Sequence, residues 1–364
     1  MEIGSYIRIW PIPQKYWQGN NKFWNASMIK GEYLTELLIS FAVISENDGT
    51  SICFKQENPS FDNLWDEVIK LKKKYPHIKI YISIGGWGAD GFSDMAMDPS
   101  KRLVFVSSIC ELLYKYDLTG ADIDWEYPVG SSPNGGLPIK TQPQDRENYI
   151  SMLQDLRSAL DKLSEKTGKR YFFTSAVPAQ EWFIKKNNIP AAVKVLDAFR
   201  IMNYDYYGPW SDTTGHHTGF SFNPKNPDGW STVQSIEAYL AAGVPPEKIH
   251  LGCGFYGRSF HGVKAGSGSD GLFQLFDSKL QNDNYFDVSQ IKELLKPGSG
   301  YTRYWDETAQ SPFLYNGDTW ITYTDEEQLK IIKNYAKEKN LGGVFYWEYS
   351  HDMDGELLMV LRNS

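Results

Sequence analysis

The sequence predicts an α/β fold, a (β/α)8 barrel with a small α+β domain inserted between strands 7 and 8. Three observations carry that prediction. Eight short β-like runs recur along the 364 residues, amphipathic helical stretches separate most of them, and one interval, from 258 to about 324, breaks the rhythm. Alternation of strand and helix through a whole chain implies a parallel sheet, and a count of eight favours closure into a barrel over an open sheet. A barrel with insertions can reach ~400 residues as one unit, so the length does not require two or three ordinary domains.

The β-like runs fall at 6–10, 37–44, 78–87, 118–127, 171–177, 199–204, 249–256 and 342–347. The helices between them carry their own punctuation. Asp98 then Pro99 reads as an N-cap and first helical position before Leu103, Val106, Cys110 and Leu113. Tyr149, Leu153, Leu156, Leu160 and Leu163 form a second apolar stripe, and Ser231 and Gly243 bracket a third helix. Thr324 and Glu327 have capping-box spacing before Leu329, Ile332 and Ala336. The interrupting interval is rich in Gly, Asp, Tyr and Phe and contains two alternating runs, Tyr301 to Trp305 and Trp320 to Tyr323, and a helical stretch at 288–295. The expected division is a barrel from 1–260 and 321–364 with an α+β insertion over 261–320 that walls a groove. A Gly/Pro/Ser-rich loop is expected at 130–144 above the fourth strand.

Composition narrows the function. With 41% hydrophobic and 23% charged residues the chain is an ordinary folded globular protein, not a disordered one. A net charge of −8 disfavours nucleic acid and anionic membranes as partners. No apolar run approaches the ~18 residues of a membrane span. The start, Met1-Glu2-Ile3-Gly4-Ser5, lacks the features of a secretory leader, so the protein is intracellular or its leader is absent from this chain. Cys53, Cys110 and Cys253 are odd in number and have neither disulfide-framework nor metal-ligand spacing, and no nucleotide-binding glycine motif is present. No metal or cofactor is expected. Twelve Trp, 23 Tyr and 19 Phe exceed what a core of this size usually demands; rings that stack on sugar faces would account for the surplus, and so would a Tyr-rich bias with rings packed in the core and against helices.

Chemistry concentrates in the fourth run, Leu118-Thr119-Gly120-Ala121-Asp122-Ile123-Asp124-Trp125-Glu126-Tyr127-Pro128. Alternate strand residues share a face, so Asp122, Asp124 and Glu126 point into the barrel while Ile123 and Trp125 face the helices. Three carboxylates spaced ~6–7 Å apart in a low-dielectric interior must share protons, and at least one must hold its proton near neutral pH. Such a group is a general acid, and Glu126, longest and nearest the mouth, is its natural bearer. In the third run Ile80, Ile82 and Ile84 mark the helix side, leaving Tyr81, Ser83 and Gly85 inside; Gly85-Gly86 permits a tight exit turn. Packing alone would also account for Ser83. The sixth run ends in Met202-Asn203-Tyr204-Asp205, with Trp210 beyond it, and the eighth closes on Trp347.

Taken together these segments resemble glycoside hydrolase family 18, the chitinase family, over nearly the whole chain. The family's D-G-x-D-x-D-x-E, S-x-G-G, M-x-Y-D and eighth-strand Trp are matched in order, except that Thr119 stands where the first Asp is usual. The run Leu251 to Arg258 is similar to the family's seventh strand with Gly254 for a common Pro, and Tyr304 to Thr308 resembles part of its insertion domain. The resemblance implies a secreted enzyme that hydrolyses β-1,4-linked N-acetylglucosamine polymers with retention, its nucleophile being the substrate's own acetamido oxygen, an exception to the two-carboxylate scheme. It also implies roles. Glu126 is the acid and base, Asp124 orients the acetamido group, Asp122 shares the proton of Asp124, Tyr204 donates to the acetamido oxygen, and Trp347 floors the site. Met202, Asp205, Arg258, Tyr256, Tyr81, Ser83, Trp87 and Trp210 are the expected sugar contacts. No second carboxylate is evident opposite Glu126. Two other readings stay open: an endo-acting N-acetylglucosaminidase on other glycans, against which the insertion argues, and a non-catalytic lectin, against which Glu126 argues. A monomer is expected, and a cytoplasmic location is not excluded.

Overall fold

Eight parallel strands close into a barrel in this computed structural model, which describes residues 1–55, 60–129, 139–266, 269–277 and 285–362. The strands are β1 (Glu2–Arg8), β2 (Glu36–Ile44), β4 (Lys79–Gly85), β5 (Gly120–Asp124), β6 (Phe172–Pro178), β7 (Ala198–Met202), β8 (Ile249–Gly254) and β14 (Gly343–Trp347). They neighbour one another in that order, and β1 pairs with both β2 and β14 to complete the circle. A short β3 (Ile52–Phe54) extends β2 as an antiparallel hairpin. All eight expected runs are strands. The first begins earlier than its apolar content suggests, because Gly4 and Ser5 continue the ladder toward Glu2.

Alternation sorts side chains into two apolar layers. Outward residues such as Leu37, Ile39, Ile80, Ile82, Ile123, Leu251 and Val344 are fully buried against the helices in one large core. Inward residues Tyr6, Leu38, Tyr81 and Phe345 form a separate, smaller cluster inside the barrel, with Phe41, Met202, Tyr204 and Trp347 above it. Trp125 belongs to the outer layer, stacked on Phe92 at 5.2 Å. Complete burial of a large aliphatic side chain contributes about 1.5–3 kcal/mol, so one-residue slippage of any strand would be costly.

Helix ends follow the sequence signals closely. Asp98 caps Pro99–Tyr116 by accepting from the Ser100 and Lys101 amides, and Ser231 caps Thr232–Ala241. The cap of Glu326–Glu338 is Asp325, whose side chain accepts from the Gln328 amide; Thr324, the expected cap, instead donates to Thr218. The expected loop at 130–144 lies outside the described residues over 130–138, and its end leads into Asp145–Thr167.

A second sheet of five antiparallel strands stands beside the barrel. It is made of β9 (Tyr256–Phe260), β10 (Tyr285–Asp287), β11 (Thr302–Asp306), β12 (Ser311–Tyr315) and β13 (Trp320–Thr322), in the order β10-β9-β13-β12-β11. Its helix, Val288–Leu294, carries a capping box between Asp287 and Gln290. The sheet takes in residues 256–260 and 321–322, which the expected bounds of 261–320 leave with the barrel.

Candidate active site

At the C-terminal ends of the barrel strands lies a cavity of about 580 Å³, lined by both Asp124 and Glu126. The local fold that delivers them depends on Gly85. It sits beside Asp124 in the β4–β5 register with φ 119°, and a Cβ there would stand 2.1 Å from the Asp124 carbonyl oxygen. Gly86, also left-handed at φ 89°, donates its amide to that same oxygen at 2.9 Å. Only glycine lets the two strand exits approach this closely.

The three carboxylates of β5 and its exit occupy different environments. Asp122 is fully buried and saturated: Tyr6 and Ser83 donate to Oδ2 at 2.9 and 2.8 Å, and Thr174 donates to Oδ1 at 2.6 Å. Arg200 Nε stands 3.7 Å from the same Oδ1. Asp124 is 4% exposed and its Oδ1 has no hydrogen-bond partner. Burial, then the charges of Glu126 and Asp122, push its proton affinity well above the ordinary carboxylate value. Glu126 is half-buried, and its pKa is pushed up to about 7, first by burial and then by the Asp205 charge, against a hydrogen bond from Tyr127. A carboxyl at that value is protonated over the acid half of the physiological range, which suits proton donation.

Asp205 is the other carboxylate in the cavity wall, and it is committed elsewhere. Its backbone is left-handed (φ 59°), and its oxygens receive Arg258 Nε and Nη2 at 2.6 and 2.8 Å and the Tyr256 hydroxyl at 2.6 Å. Burial would raise its proton affinity, but the Arg258 charge and the bonds from His217 and Arg258 outweigh it and hold the carboxyl well below the usual range. Tyr204 keeps its phenolic proton, since burial and the charges of Asp124, Glu126 and Asp205 all raise its pKa.

Rings enclose these groups. Trp347 stacks on Phe41 (5.6 Å between centroids, 14° between planes), and Trp10 and Tyr6 stand at 6.3 and 5.9 Å from it. Trp87 and Trp210 line the cavity from its rim, 57% and 41% exposed, with the Arg258 guanidinium 4.9 Å over the Trp210 ring. Met202, Tyr204, Asp205, Tyr256 and Arg258 line the same cavity.

Two expected sugar contacts lie elsewhere. Tyr81 is buried at the level of Gly120, where its hydroxyl donates to Glu36 at 3.0 Å, and Ser83 is buried at the level of Asp122. Both face the barrel interior as expected, but two and one steps of the strand below the cavity, so neither is part of its lining. Face follows from alternation; depth follows from strand stagger, which a single segment does not reveal. Conversely, Trp10, Phe41, Tyr127, Trp182 and Tyr285 line the cavity and were not singled out, nor were Tyr6, Thr174 and Arg200 beneath it. Arg200 and Tyr6 do carry a signal. Arg200 shares strand parity with Met202 and Tyr204, and a charge in so apolar a run requires an inward partner.

A parallel α/β barrel with an acid-tuned carboxyl and an aromatic trough at its mouth has the layout of a glycoside hydrolase. The sequence pattern of the Glycosyl hydrolases family 18 matches residues 14–352, and the chain belongs to that family. Among its relatives, Chitinase A1 of Niallia circulans is 33% identical over 82% of this chain and 45% of its own length. The chain spans about half the length of the curated relatives it matches. A solved family 18 N-acetylglucosaminidase from Paenibacillus barengoltzii superposes with a TM-score of 0.84 at 29% identity, covering 99% of this chain and 98% of that one. A class V chitinase mutant from Nicotiana tobaccum in complex with NAG4 gives a TM-score of 0.82 at 25% identity, covering 99% and 97%.

Proposed function

We propose that the chain hydrolyses β-1,4 bonds in N-acetylglucosamine polymers, chitin and its oligomers, with retention and with the substrate's acetamido oxygen as nucleophile. The observation that carries this reading is the contrast within the cavity wall: Glu126 is poised near neutrality while Asp205 is bound on both oxygens by Arg258. A retaining enzyme with its own nucleophile needs a second free carboxylate about 5–5.5 Å from the acid. Asp205, paired with a cation, is a poor candidate for that role, and Asp124 leaves the same strand as Glu126 on the same face and so stands on the acid's own side of the bond, whereas an acetamido group supplied by the sugar meets the need.

In this mechanism Glu126 gives its proton to the glycosidic oxygen as the acetamido oxygen attacks the anomeric carbon. The resulting Glu126 carboxylate then takes a proton from the water that opens the oxazolinium ring. Asp124, its proton affinity raised by burial, turns its unpartnered oxygen toward the acetamido group, while Asp122 below it stays bound by its hydroxyl donors. Tyr204 donates to the acetamido oxygen, and Trp347 underlies the reacting sugar. Met202, Asp205, Tyr256 and Arg258 contact that sugar's edge, and Trp87 and Trp210 stack on sugars farther along. The second sheet walls the groove through Tyr285 and Tyr256, which stack at 4.6 Å. The metal-free acid-base scheme requires no cofactor. The protein acts as a monomer outside the cell, where such polymers lie.

The product profile from defined N-acetylglucosamine oligomers, resolved by anomer, tests the reading: β-anomeric products are expected, and α-anomeric products would overturn it. Fully deacetylated oligomers are expected to remain uncut; their efficient cleavage would require a nucleophile from the protein. The Paenibacillus barengoltzii likeness, which spans both chains almost end to end, supports a second reading as an N-acetylglucosaminidase. Release of monosaccharide alone, at all oligomer lengths, would select it over chitin cleavage into disaccharides. Binding without turnover by the unaltered chain would select a lectin.

A further inference from the structure

Below the carboxylates, the barrel interior holds a buried ion cluster that the reaction scheme does not use. Arg200 of β7 is fully buried, and its Nη1 lies 2.9 Å from Glu36 Oε2 on β2 and 3.2 Å from His250 Nδ1 on β8. Its Nε donates to Thr174 Oγ1 at 3.2 Å, and that hydroxyl in turn donates to Asp122 Oδ1. Glu36 also receives the Tyr81 hydroxyl from β4 and stands 3.4 Å from His250. The Tyr6 hydroxyl on β1 reaches the far oxygen of Asp122. The barrel wall is thinned for this group: a Cβ on Gly4 would come within 3.2 Å of Arg200 Nη1, and one on Gly343 within 2.9 Å of His250 Nδ1.

A buried ion cluster is a weak source of stability, since well-packed apolar residues of similar volume are often as stable or more so. Its position suggests what else it does. One cation faces two anions, Glu36 and Asp122, and only Asp122 belongs to the chemistry. We propose that Arg200 is a positioning residue for the reaction, a fixed cation that, directly and through Thr174, anchors Asp122 and biases the ladder's exchangeable proton toward Asp124 and Glu126. Donor saturation of Asp122, set against the unpartnered Asp124 Oδ1, is the arrangement such a division requires. The proposal rests on the acid-base reading of Glu126.

Replacing Arg200 by Gln removes the cation, so a further proton enters the ladder at higher pH as the solution is acidified. The acid limb of kcat/KM against pH is expected to move up by about one unit, a loss of about tenfold at pH 5, with KM on the plateau nearly unchanged. Arg200→Lys keeps the charge and restores the limb. An unmoved limb in folded Arg200→Gln, or a limb that Arg200→Lys does not restore, overturns the proposal. If Arg200→Gln fails to fold because Glu36 is left unpaired, the double variant Arg200→Gln/Glu36→Gln removes both charges. A smaller shift in the same direction is then expected, and none would overturn the proposal. Infrared titration of the protonated carboxyl stretch in the resting protein reads the same shift without substrate. An inactive unaltered chain that still shows the Arg200-dependent shift would sink the proposed function and leave the hold of Arg200 on the carboxyl ladder standing.

Discussion

Asp122 and Asp124 are the same residue type on the same face of one strand, two positions apart, yet their surroundings are opposites. Asp122 is met by three hydroxyls and a guanidinium; Asp124 has an orphaned oxygen and carboxylates on either side. Asp205 and Glu126, both in the cavity wall, repeat the contrast: Asp205 is ion-paired, and Glu126 is raised by burial. Burial is common to Asp122 and Asp124, so what separates that pair is the donor supply, and the proposed chemistry falls where donors were left out.

The comparison can be broken most severely at its reactive end. Glu126→Gln is expected to lower kcat by at least ~10³ while oligosaccharide affinity, measured by calorimetry, changes only a few-fold. Retained turnover would move the acid elsewhere. On the proposed mechanism Asp124→Asn and Tyr204→Phe are expected to lower kcat by about 10²-fold and 10-fold, since each would remove a contact with the acetamido group that strengthens in the transition state. Ser83→Ala takes one of three hydroxyls from Asp122 and is expected to cost about tenfold or less, with an upward drift of the acid limb.

The same contrast predicts two pH effects. Glu126 must be protonated to donate, so kcat/KM is expected to fall above pH about 7, tenfold per unit. Its proton affinity is raised on folding from an ordinary 4.5 to about 7, so its contribution to stability is complete below the unfolded value and is lost as pH rises through the folded one. Glu126→Gln has no such loss. Its thermal midpoint should exceed that of the unaltered protein at pH 8, by a free energy on the order of 3 kcal/mol, and the gap should close near pH 4. Equal midpoints at pH 8 would mean that Glu126 is well solvated.

What was legible in the sequence follows the same physics. Strand number, the inward set of carboxylates and the helix caps at Asp98 and Ser231 are local properties, written within a few residues of one another. The depth of Tyr81 and Ser83 is not local, because it depends on how β4 is staggered against β5. The rings of Trp10, Phe41 and Trp182 come from a loop, a strand and a short helix that meet only once the whole barrel has closed, so no spacing announced them. Arg200 was legible in principle, as the one charge in the run from Ala198 to Met202, but its partners Glu36 and His250 are on strands far away in sequence.

One joint in the molecule has a mechanical consequence. β8 ends at Gly254 and β9 begins at Tyr256, with Phe255 alone between them, its amide bonded to the Trp347 carbonyl at 2.9 Å. On the return side β13 ends at Thr322 and the next helix starts at Glu326. Among the described residues the five-stranded sheet is thus joined to the barrel by two short connections. Arg258, three residues past this joint, lays its guanidinium 4.9 Å over the Trp210 ring and 5.9 Å over the Tyr285 ring, so the short connection also clasps barrel loop and second sheet together at the cavity's rim.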